Sequence, residues 1–470
     1  MKVWIKPFEL FEVNGSWFLL KLKSLMHLPV KTEDVRTLSA LLECYETDAD
    51  EDTVSVLRRY RLLADKKWEP TEELRKLRSL CGDKRDPSKA KLVELFVSQT
   101  CNMGCTYCYG SDGTYHQQGL MDLETAKRAV EKLKAGTTDT DDVNIVFFGG
   151  EPLVNYALIK EIICFTEELF GPGRVTYGAA TNMTLMTDAY LDFFASLPKF
   201  FLLVSIDGPK EIHNRQRPLK DGRDSHAVTA ERISAALKRG ISCTGRATVF
   251  ADTDRTAVAE EMRRLGLSVW QLTPVSGCAA DGVKRDDSER IHRMLLDTLP
   301  IEAVRFAEAV KRRDRETADA LFLEEDLHNL VIEGVSGGEI KKSPLGCPAG
   351  RNQYAVSAEG DLYPCHRFVG MEDFRFGHVS DATLTCEVGE FSKSRFDCNP
   401  DCAECFLRYG CGGECYYLCF SDGPKGSIHS APPYFCDYMR MRVKLKIYLC
   451  HTLNEEDKQW YFTRKFERPV

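Results

Sequence analysis

Leu92-Val93-Glu94-Leu95-Phe96-Val97-Ser98, then Gln99-Thr100, then Cys101-Asn102-Met103-Gly104-Cys105-Thr106-Tyr107-Cys108: the order of these residues decides how the chain is read. The first seven have the apolar, β-favouring composition of a strand. Directly behind them, three thiols fall inside eight residues. A tight loop after a strand can aim all three sulfurs inward at one iron–sulfur cluster, because cluster irons are held by thiolates. Three protein ligands on a four-iron cube leave one iron open, and chemistry is expected at that corner. Zinc fits less well, since it takes four N or S ligands, usually from two Cys-x2-Cys units. No fourth partner lies nearby.

The composition sets the frame around this loop. A chain of 470 residues has room for two to four domains. With 43% hydrophobic and 29% charged residues it reads as an ordinary soluble protein with ample core material. A net charge of −8 argues against a nucleic-acid partner. No 18-residue apolar run occurs and Met1 to Pro7 lacks a signal-peptide core. The expectation is a cytoplasmic protein without a membrane partner. Of the nineteen cysteines, three lie at 101–108, ten at 347–436 and six elsewhere. In a large chain with no export signal, that clustering points to metal ligation rather than disulfides. Cys44, Cys81, Cys164, Cys243, Cys386 and Cys450 read as buried small hydrophobes.

Residues 1–75 read as a small module. Phe8 to Val13 alternates, Asn14-Gly15 is a hairpin turn, and Trp17 to Leu22 returns as a second strand. Thr32-Glu33-Asp34 then caps a helix through Leu38, Leu41 and Leu42, and Val54, Leu57, Tyr60 and Leu63 mark another. After a linker (76–91), strands at Leu92–Ser98, Val143–Gly149, Val175–Thr181, Phe201–Asp207, Thr244–Phe250 and Ser268–Pro274 alternate with helices such as Leu123–Leu133 and Ala230–Leu237. Six β–α repeats over 92–325 predict an α/β fold: a parallel sheet curled into a partial (β/α)6 TIM-like barrel, with functional residues at the C-terminal strand ends. The charged stretch from Ile291 to Ile332 reads as packing helices. A cysteine-rich domain (326–450) and a tail (451–470) complete the expected division.

The Cys-x3-Cys-x2-Cys spacing with Tyr107 before the last cysteine resembles the defining motif of the radical S-adenosylmethionine (SAM) enzymes. The resemblance implies a 4Fe-4S cluster on Cys101, Cys105 and Cys108 whose free iron chelates SAM. One electron then releases a 5′-deoxyadenosyl radical that takes a hydrogen atom from the substrate. Gly149-Gly150-Glu151-Pro152 resembles the family's Gly-Gly-Glu-Pro motif, whose backbone contacts the SAM amino group. By the same resemblance Asn182, Ser205 and Asp207 hold the ribose and carboxylate, Arg215 or Arg217 pairs with the carboxylate, and Leu272 packs on adenine. The N-terminal hairpin and helices resemble the winged-helix element that takes up a leader peptide by strand addition in peptide-modifying enzymes.

Cys347, twelve residues, Gly360, four residues and Cys365 are followed by Cys402-x2-Cys405-x5-Cys411-x3-Cys415 and by Cys436. This resembles the SPASM extension of radical SAM peptide and protein maturases. It implies two auxiliary 4Fe-4S clusters, the first on Cys347, Cys365 and Cys415, the second on Cys402, Cys405, Cys411 and Cys436. The family's extra cysteine before the first set is missing from Gly338 to Gly346. An open iron there is left for Cys398, Cys419, Cys278 or a cysteine of the substrate.

The domain order resembles that of thioether-forming maturases, which join a cysteine sulfur of a ribosomal precursor peptide to a carbon of another residue. They draw electrons from a flavodoxin- or ferredoxin-type donor. Anaerobic sulfatase maturases are the alternative. They place an aspartate base after the cysteine matching Cys365, where this chain has His366. Other SPASM cross-linking enzymes, and a non-enzymatic iron–sulfur or zinc scaffold, are the remaining readings.

Overall fold

The computed structural model describes residues 1–82, 87–276, 286–323, 325–335, 340, 345–382, 391, 393–424 and 427–462. Its N-terminal part opens with strands β1 (Lys2–Ile5), β2 (Phe8–Val13), β3 (Ser16–Lys21) and β4 (His27–Val30). β2 and β3 pair antiparallel through Asn14 and Gly15, both at positive φ, as a two-residue turn of that composition demands. Helix α1 (Thr32–Ala40) takes in its expected cap, Thr32, as its first residue: Lys31 holds the cap position, one residue earlier, and supplies no side-chain hydrogen bond. Leu41 closes α1 rather than lying within it. Strand β5 (Glu46–Asp48), helix α2 (Glu51–Arg59) and strand β6 (Leu63–Ala64) follow. β5 and β6 flank β1 in a second small sheet that the sequence pattern did not announce. Leu63 therefore starts a strand instead of extending the α2 stripe. Helix α3 (Pro70–Gly82) runs through residue 75, so the first part of the expected linker is helical.

The hairpin works on both faces. Leu19 belongs to a core of the N-terminal part that includes Val3, Ile5, Leu38 and Leu57. Phe18 and Leu20, on the opposite face, join the main core of the chain. There Phe18 stacks on His451 at 5.8 Å and meets the edge of Tyr448 at 6.3 Å, both on the helix Pro433–Thr452.

The parallel strands are β7 (Leu92–Ser98), β8 (Val143–Gly149), β9 (Val175–Thr181), β10 (Phe200–Ser205), β11 (Ser242–Val249) and β12 (Val269–Pro274). They lie in chain order across the sheet. Helices α4 (Leu123–Ala135), α5 (Tyr156–Phe170), α6 (Asp188–Ala195), α7 (Lys210–Gln216), α8 (Ser225–Lys238) and α9 (Arg255–Arg264) make the crossovers. Among the described residues β12 does not pair back to β7, so the sheet is an open half-barrel.

Beyond β12 come α10 (Asp287–Lys311), α11 (Arg315–Leu321) and α12 (Glu325–Val335), with Leu295, Leu299 and Phe306 of α10 buried. The other edge of the barrel sheet is not an end. Strand β13 (Gln353–Val356) pairs parallel with β7, and β14 (Asp361–Tyr363) and β15 (Gly377–His378) add antiparallel, giving nine strands. The cysteine-rich end thus grows out of the barrel's first strand. The expected tail also docks: helix Glu455–Phe462 buries Tyr461, whose hydroxyl donates to Asp319 Oδ1 at 2.9 Å. No helix of the described residues is long and apolar enough to cross a membrane.

Asp34 ties α1 to α2, accepting from the Tyr60 hydroxyl at 2.7 Å and from Arg59 Nη1 at 2.5 Å while only 4% exposed. Asp34→Ala leaves the Tyr60 hydroxyl without this acceptor and is expected to destabilise the N-terminal part by about 1–3 kcal/mol. Hydrogen exchange of α1 and α2 checks it.

Candidate active site

The loop after β7 closes over the C-terminal ends of the strands. Cys101, Cys105 and Cys108 line one cavity of about 190 Å³ together with Tyr107, Gly149, Gly150, Glu151, Asn182, Ser205 and Arg217. The loop is pinned to the segment after α7 by backbone bonds: Gly104 N to Pro218 O, Thr106 N to Gln216 O and Lys220 N to Asn102 O, each 3.0 Å. Met103 N donates to Cys101 Sγ at 3.4 Å. In the bare protein burial pushes the Cys101 thiol up to about 12 and Cys105 up to about 11. These sulfurs ionise only when a cation such as cluster iron binds them.

The two glycines matter first to this loop. Gly150 N donates to Ser98 O at 2.8 Å and Glu151 N to Thr100 O at 2.9 Å, which seats the end of β8 directly against the start of the cysteine loop. A Cβ on Gly149 would lie 2.0 Å from Ser98 O, and one on Gly150 2.4 Å from Thr100 O. Gly149 also has φ +139, which disfavours any side chain. Glu151 turns away into the sheet. Its Oε1 accepts from Thr181 Oγ1 at 2.7 Å and Leu153 N at 3.1 Å, and its Oε2 from Asn182 N at 2.8 Å. Burial nevertheless raises it to about 7. Asn182 continues the link, donating from Nδ2 to Asn102 Oδ1 at 3.0 Å.

Beneath the cavity sits Asp207, fully buried. Its Oδ2 accepts from the Tyr107 hydroxyl at 2.5 Å and lies 3.0 Å from Arg217 Nε; its Oδ1 accepts from Thr248 N at 2.9 Å. Arg217 also lies over the Tyr107 ring at 5.3 Å. Arg217 is itself buried in the wall of the cavity, its charge met by Asp207. His213 accepts from Asp207 N through Nδ1 at 3.2 Å. Burial and then the Arg217 charge push it down to about 2, so it stays neutral.

Tyr107, Gly149, Gly150, Glu151, Asn182, Ser205 and Arg217 are therefore brought together. The other expected contacts are not. Pro152 is buried at the first position of a 3-10 turn (Pro152–Asn155), outside the cavity lining. Asp207 braces Tyr107 and Arg217 rather than lining the space. Arg215 is exposed, because the helical phase of α7 buries His213, Gln216 and Arg217 and turns Arg215 outward. Leu272 belongs to the core, and the wall near it is built by Thr273, Pro274, Val275 and Ser276 instead.

His366 is clamped. Its Nδ1 and its backbone N each lie 2.7 Å from a carboxylate oxygen of Glu94, buried in β7, and its ring stacks on Phe148 at 4.7 Å. That arrangement makes it a strut between β7 and the β14 end, not a base facing the cavity. Its neighbour Arg367 does line the cavity, lying over Tyr109 at 4.8 Å and Tyr417 at 5.1 Å. Sequence reasoning missed Arg367, Tyr109, Tyr115, Phe148 and Thr248. Only the adjacency of Tyr109 and Arg367 to cysteines could have flagged any of them.

At the C-terminal end Cys402, Cys405, Cys411 and Cys436 line a second cavity of about 150 Å³ with Arg395 and Arg440. Backbone N–H groups of Leu407 and Gly413 donate to Cys405 Sγ at 3.4 Å and Cys411 Sγ at 3.3 Å. Burial raises the Cys365 thiol well above its usual range; the charges of Glu94, Cys415 and Cys347 act on it in the same direction. Cys419, fully buried, is raised by burial and then by Glu414, Cys415, Cys402 and Cys436, which puts it between the two sets. Cys398 is half-buried at the end of a short helix, and Cys278 lies outside the described residues. Of the cysteines expected to be buried, only Cys243 is. Cys164 is exposed, Cys44 and Cys450 are half-buried, and Cys386 and the side chain of Cys81 fall outside the described set. Among the described residues no three His, Cys, Asp or Glu converge as ligands of a single metal ion. The thiols frame cavities rather than points.

Residues 95–265 match the family model for the Radical SAM superfamily. The matched stretch runs from within β7 to the end of α9. It is 33% identical over 135 residues to the uncharacterized protein MJ0907 of Methanocaldococcus jannaschii, a stretch covering 29% of this chain and 44% of that one. It is 24% identical over 343 residues to the cysteine-type anaerobic sulfatase-maturating enzyme of Clostridium perfringens strain 13, covering 68% and 86%. The fold is also that of Streptococcus suis SuiB bound to precursor peptide SuiA, with TM-score 0.51, 14% identity, and coverage of 93% of this chain and 100% of that one. A radical SAM domain implies a 4Fe-4S cluster and SAM, and the residues fit both. Three thiols face one cavity, two glycines leave its wall without side chains, and Arg217 places a guanidinium in that wall.

Gly150→Ala forces the cysteine loop off β8, since neither Thr100 O nor Gly113 O, 2.5 Å from the new Cβ, can yield without moving backbone. Iron and sulfide analysis of the anaerobically reconstituted variant is expected to show loss of the cluster held at 101–108. Any iron bound through the C-terminal thiols should remain.

Proposed function

We propose that this protein is a radical SAM peptide maturase that forms thioether cross-links between a cysteine sulfur and a carbon of another residue in a ribosomal precursor peptide. The observation that carries the radical SAM part is the single cavity shared by Cys101, Cys105, Cys108, Gly149, Gly150 and Arg217 at the C-terminal strand ends. When bound there, the cluster and SAM supply a carbon-centred radical able to take up a hydrogen atom. Making each link would pass the C–H hydrogen atom to the deoxyadenosyl radical, release the thiol proton and one electron, the electron going to the first proposed auxiliary cluster, and form one C–S bond.

Residues 1–75 are proposed to hold the leader, and Cys347, Cys365, Cys415 and Cys402, Cys405, Cys411, Cys436 to hold two auxiliary clusters. Four thiols around one cavity, two of them receiving backbone N–H bonds, support the second of these sites. A flavodoxin- or ferredoxin-type protein is the proposed electron donor. The sulfatase-maturase alternative is supported by the likeness to the Clostridium perfringens enzyme over most of its length. Against it, His366, held by Glu94 and stacked on Phe148, does not line the cavity that the three thiols share. Arg367 faces the cavity in its place.

The reconstituted protein with SAM and dithionite is expected to yield 5′-deoxyadenosine, and Cys105→Ala none. A co-expressed precursor should lose two hydrogens per cross-link by mass spectrometry. A formylglycine product instead would establish the sulfatase route, and the absence of 5′-deoxyadenosine from the wild type would remove both.

A further inference from the structure

The N-terminal part, the region proposed to hold the leader, contains a cavity of about 840 Å³. It is bounded by the β1–β2 corner (Ile5, Lys6, Pro7), the end of β3 and its turn (Lys21 to Met26), and the stretch from Arg61 to Glu73. Lys21 lies in its wall at 6% exposure. The only hydrogen-bond partner of its ammonium group among the described residues is the Met26 thioether at 3.5 Å, and it forms no ion pair there. A buried ammonium is expensive unless a negative charge meets it. Here its neighbours make matters worse: burial and then the like charges of Lys6 and Arg61 lower its pKa. Lys6 donates to a neutral group, the Arg61 carbonyl, at 3.4 Å.

A second orphan donor stands in the same wall. Trp68 Nε1–H is buried without an acceptor. The cavity's other charges do not answer Lys21. Glu73 is engaged by Lys23 at 2.9 Å, Glu72 by Lys76 at 2.7 Å, and Lys67 by Glu46 at 3.3 Å. Asp65, Lys66 and Glu69 are exposed at the rim. An anion seated against Lys21, Lys6 and Arg61 would satisfy donors that the fold leaves unmet.

We propose that this cavity binds carboxylate side chains of the precursor peptide, reading acidic residues through Lys21, Lys6 and Arg61. The inference rests on the peptide-substrate reading above. It adds a charge requirement, at a place distinct from the free edge of β4, whose neighbour His27 is already packed against His451. The apolar part of the wall (Ile5, Pro7, Met26) suits acidic residues interspersed with aliphatic ones.

The test uses the full-length protein and a fluorescein-labelled synthetic peptide alternating Glu and Leu, with a Gln-and-Leu counterpart, read by fluorescence anisotropy. The Glu peptide should bind at least about tenfold more tightly than the Gln peptide, and the difference should shrink with added salt. Lys21→Met, which replaces a buried cation by an apolar group of similar length, should abolish the preference. Lys6→Glu/Arg61→Glu alters two exposed residues, so it keeps the proposal testable if the buried change disturbs folding; it too should remove the preference. Equal binding of both peptides, or an unchanged preference in the double variant, overturns the proposal. So does displacement of the Glu peptide by inorganic phosphate at the same anion concentration as free glutamate requires, since the cavity would then be a generic anion site. Reductive SAM cleavage by the wild type, measured in parallel, reports on the radical reading separately, so failure of one leaves the other intact.

Discussion

The buried carboxylate of Asp207 is the point on which the site turns. With one oxygen it holds the Tyr107 hydroxyl and stands against Arg217, and with the other it takes the backbone of Thr248 in β11. Tyr107 lies between Cys105 and Cys108, so the shape of the thiol loop is referred to β10 and β11 through a single side chain. A carboxylate with no solvent must have such partners, and the partners acquire fixed positions in return. His213 is neutral first because it is buried, and a protonated ring beside Arg217 would also put two cations under one loop.

A parallel constraint acts at the second strand. Gly149 and Gly150 bring the end of β8 into contact with Ser98 and Thr100, and Glu151 carries the link on to Thr181 and Asn182. The motif thereby joins three consecutive strand ends before any small molecule is considered. Its glycines leave the cavity wall as bare backbone, which is also what a polar cofactor lying flat against it needs.

Much of this was readable from the chain. Three of the six barrel strands, β7, β8 and β9, begin and end where their runs of mostly apolar residues do, because strands buried on both faces leave little room for charge. The Asn14-Gly15 turn was legible for a local reason, its demand for positive φ. What escaped detection depends on distant partners. β13, β14 and β15 are two to four residues long; β13 adds to β7, more than 250 residues earlier, and β14 and β15 add to it in turn. The inward turn of Arg217 and the outward turn of Arg215 are set by the phase of α7, which the sequence around them does not specify. His366 looked like a free base because Glu94 lies in an unbroken apolar strand, where nothing marks a carboxylate as bound. Lys21 ends an amphipathic strand and reads there as a surface residue; its burial comes from the turn to Met26 folding over it.

The addition of β13 to β7 has a consequence for how this protein can be taken apart. β7 is apolar along nearly its whole length, and β13 covers its outer edge. A fragment ending before residue 345 would present that edge to solvent as a row of unpaired amides and carbonyls, the kind of template on which chains stack into aggregates. The half-barrel is therefore not a separable catalytic unit with an accessory appended. Its first strand is an interior strand only when the cysteine-rich end is present, and the two regions must be made, folded and inherited together.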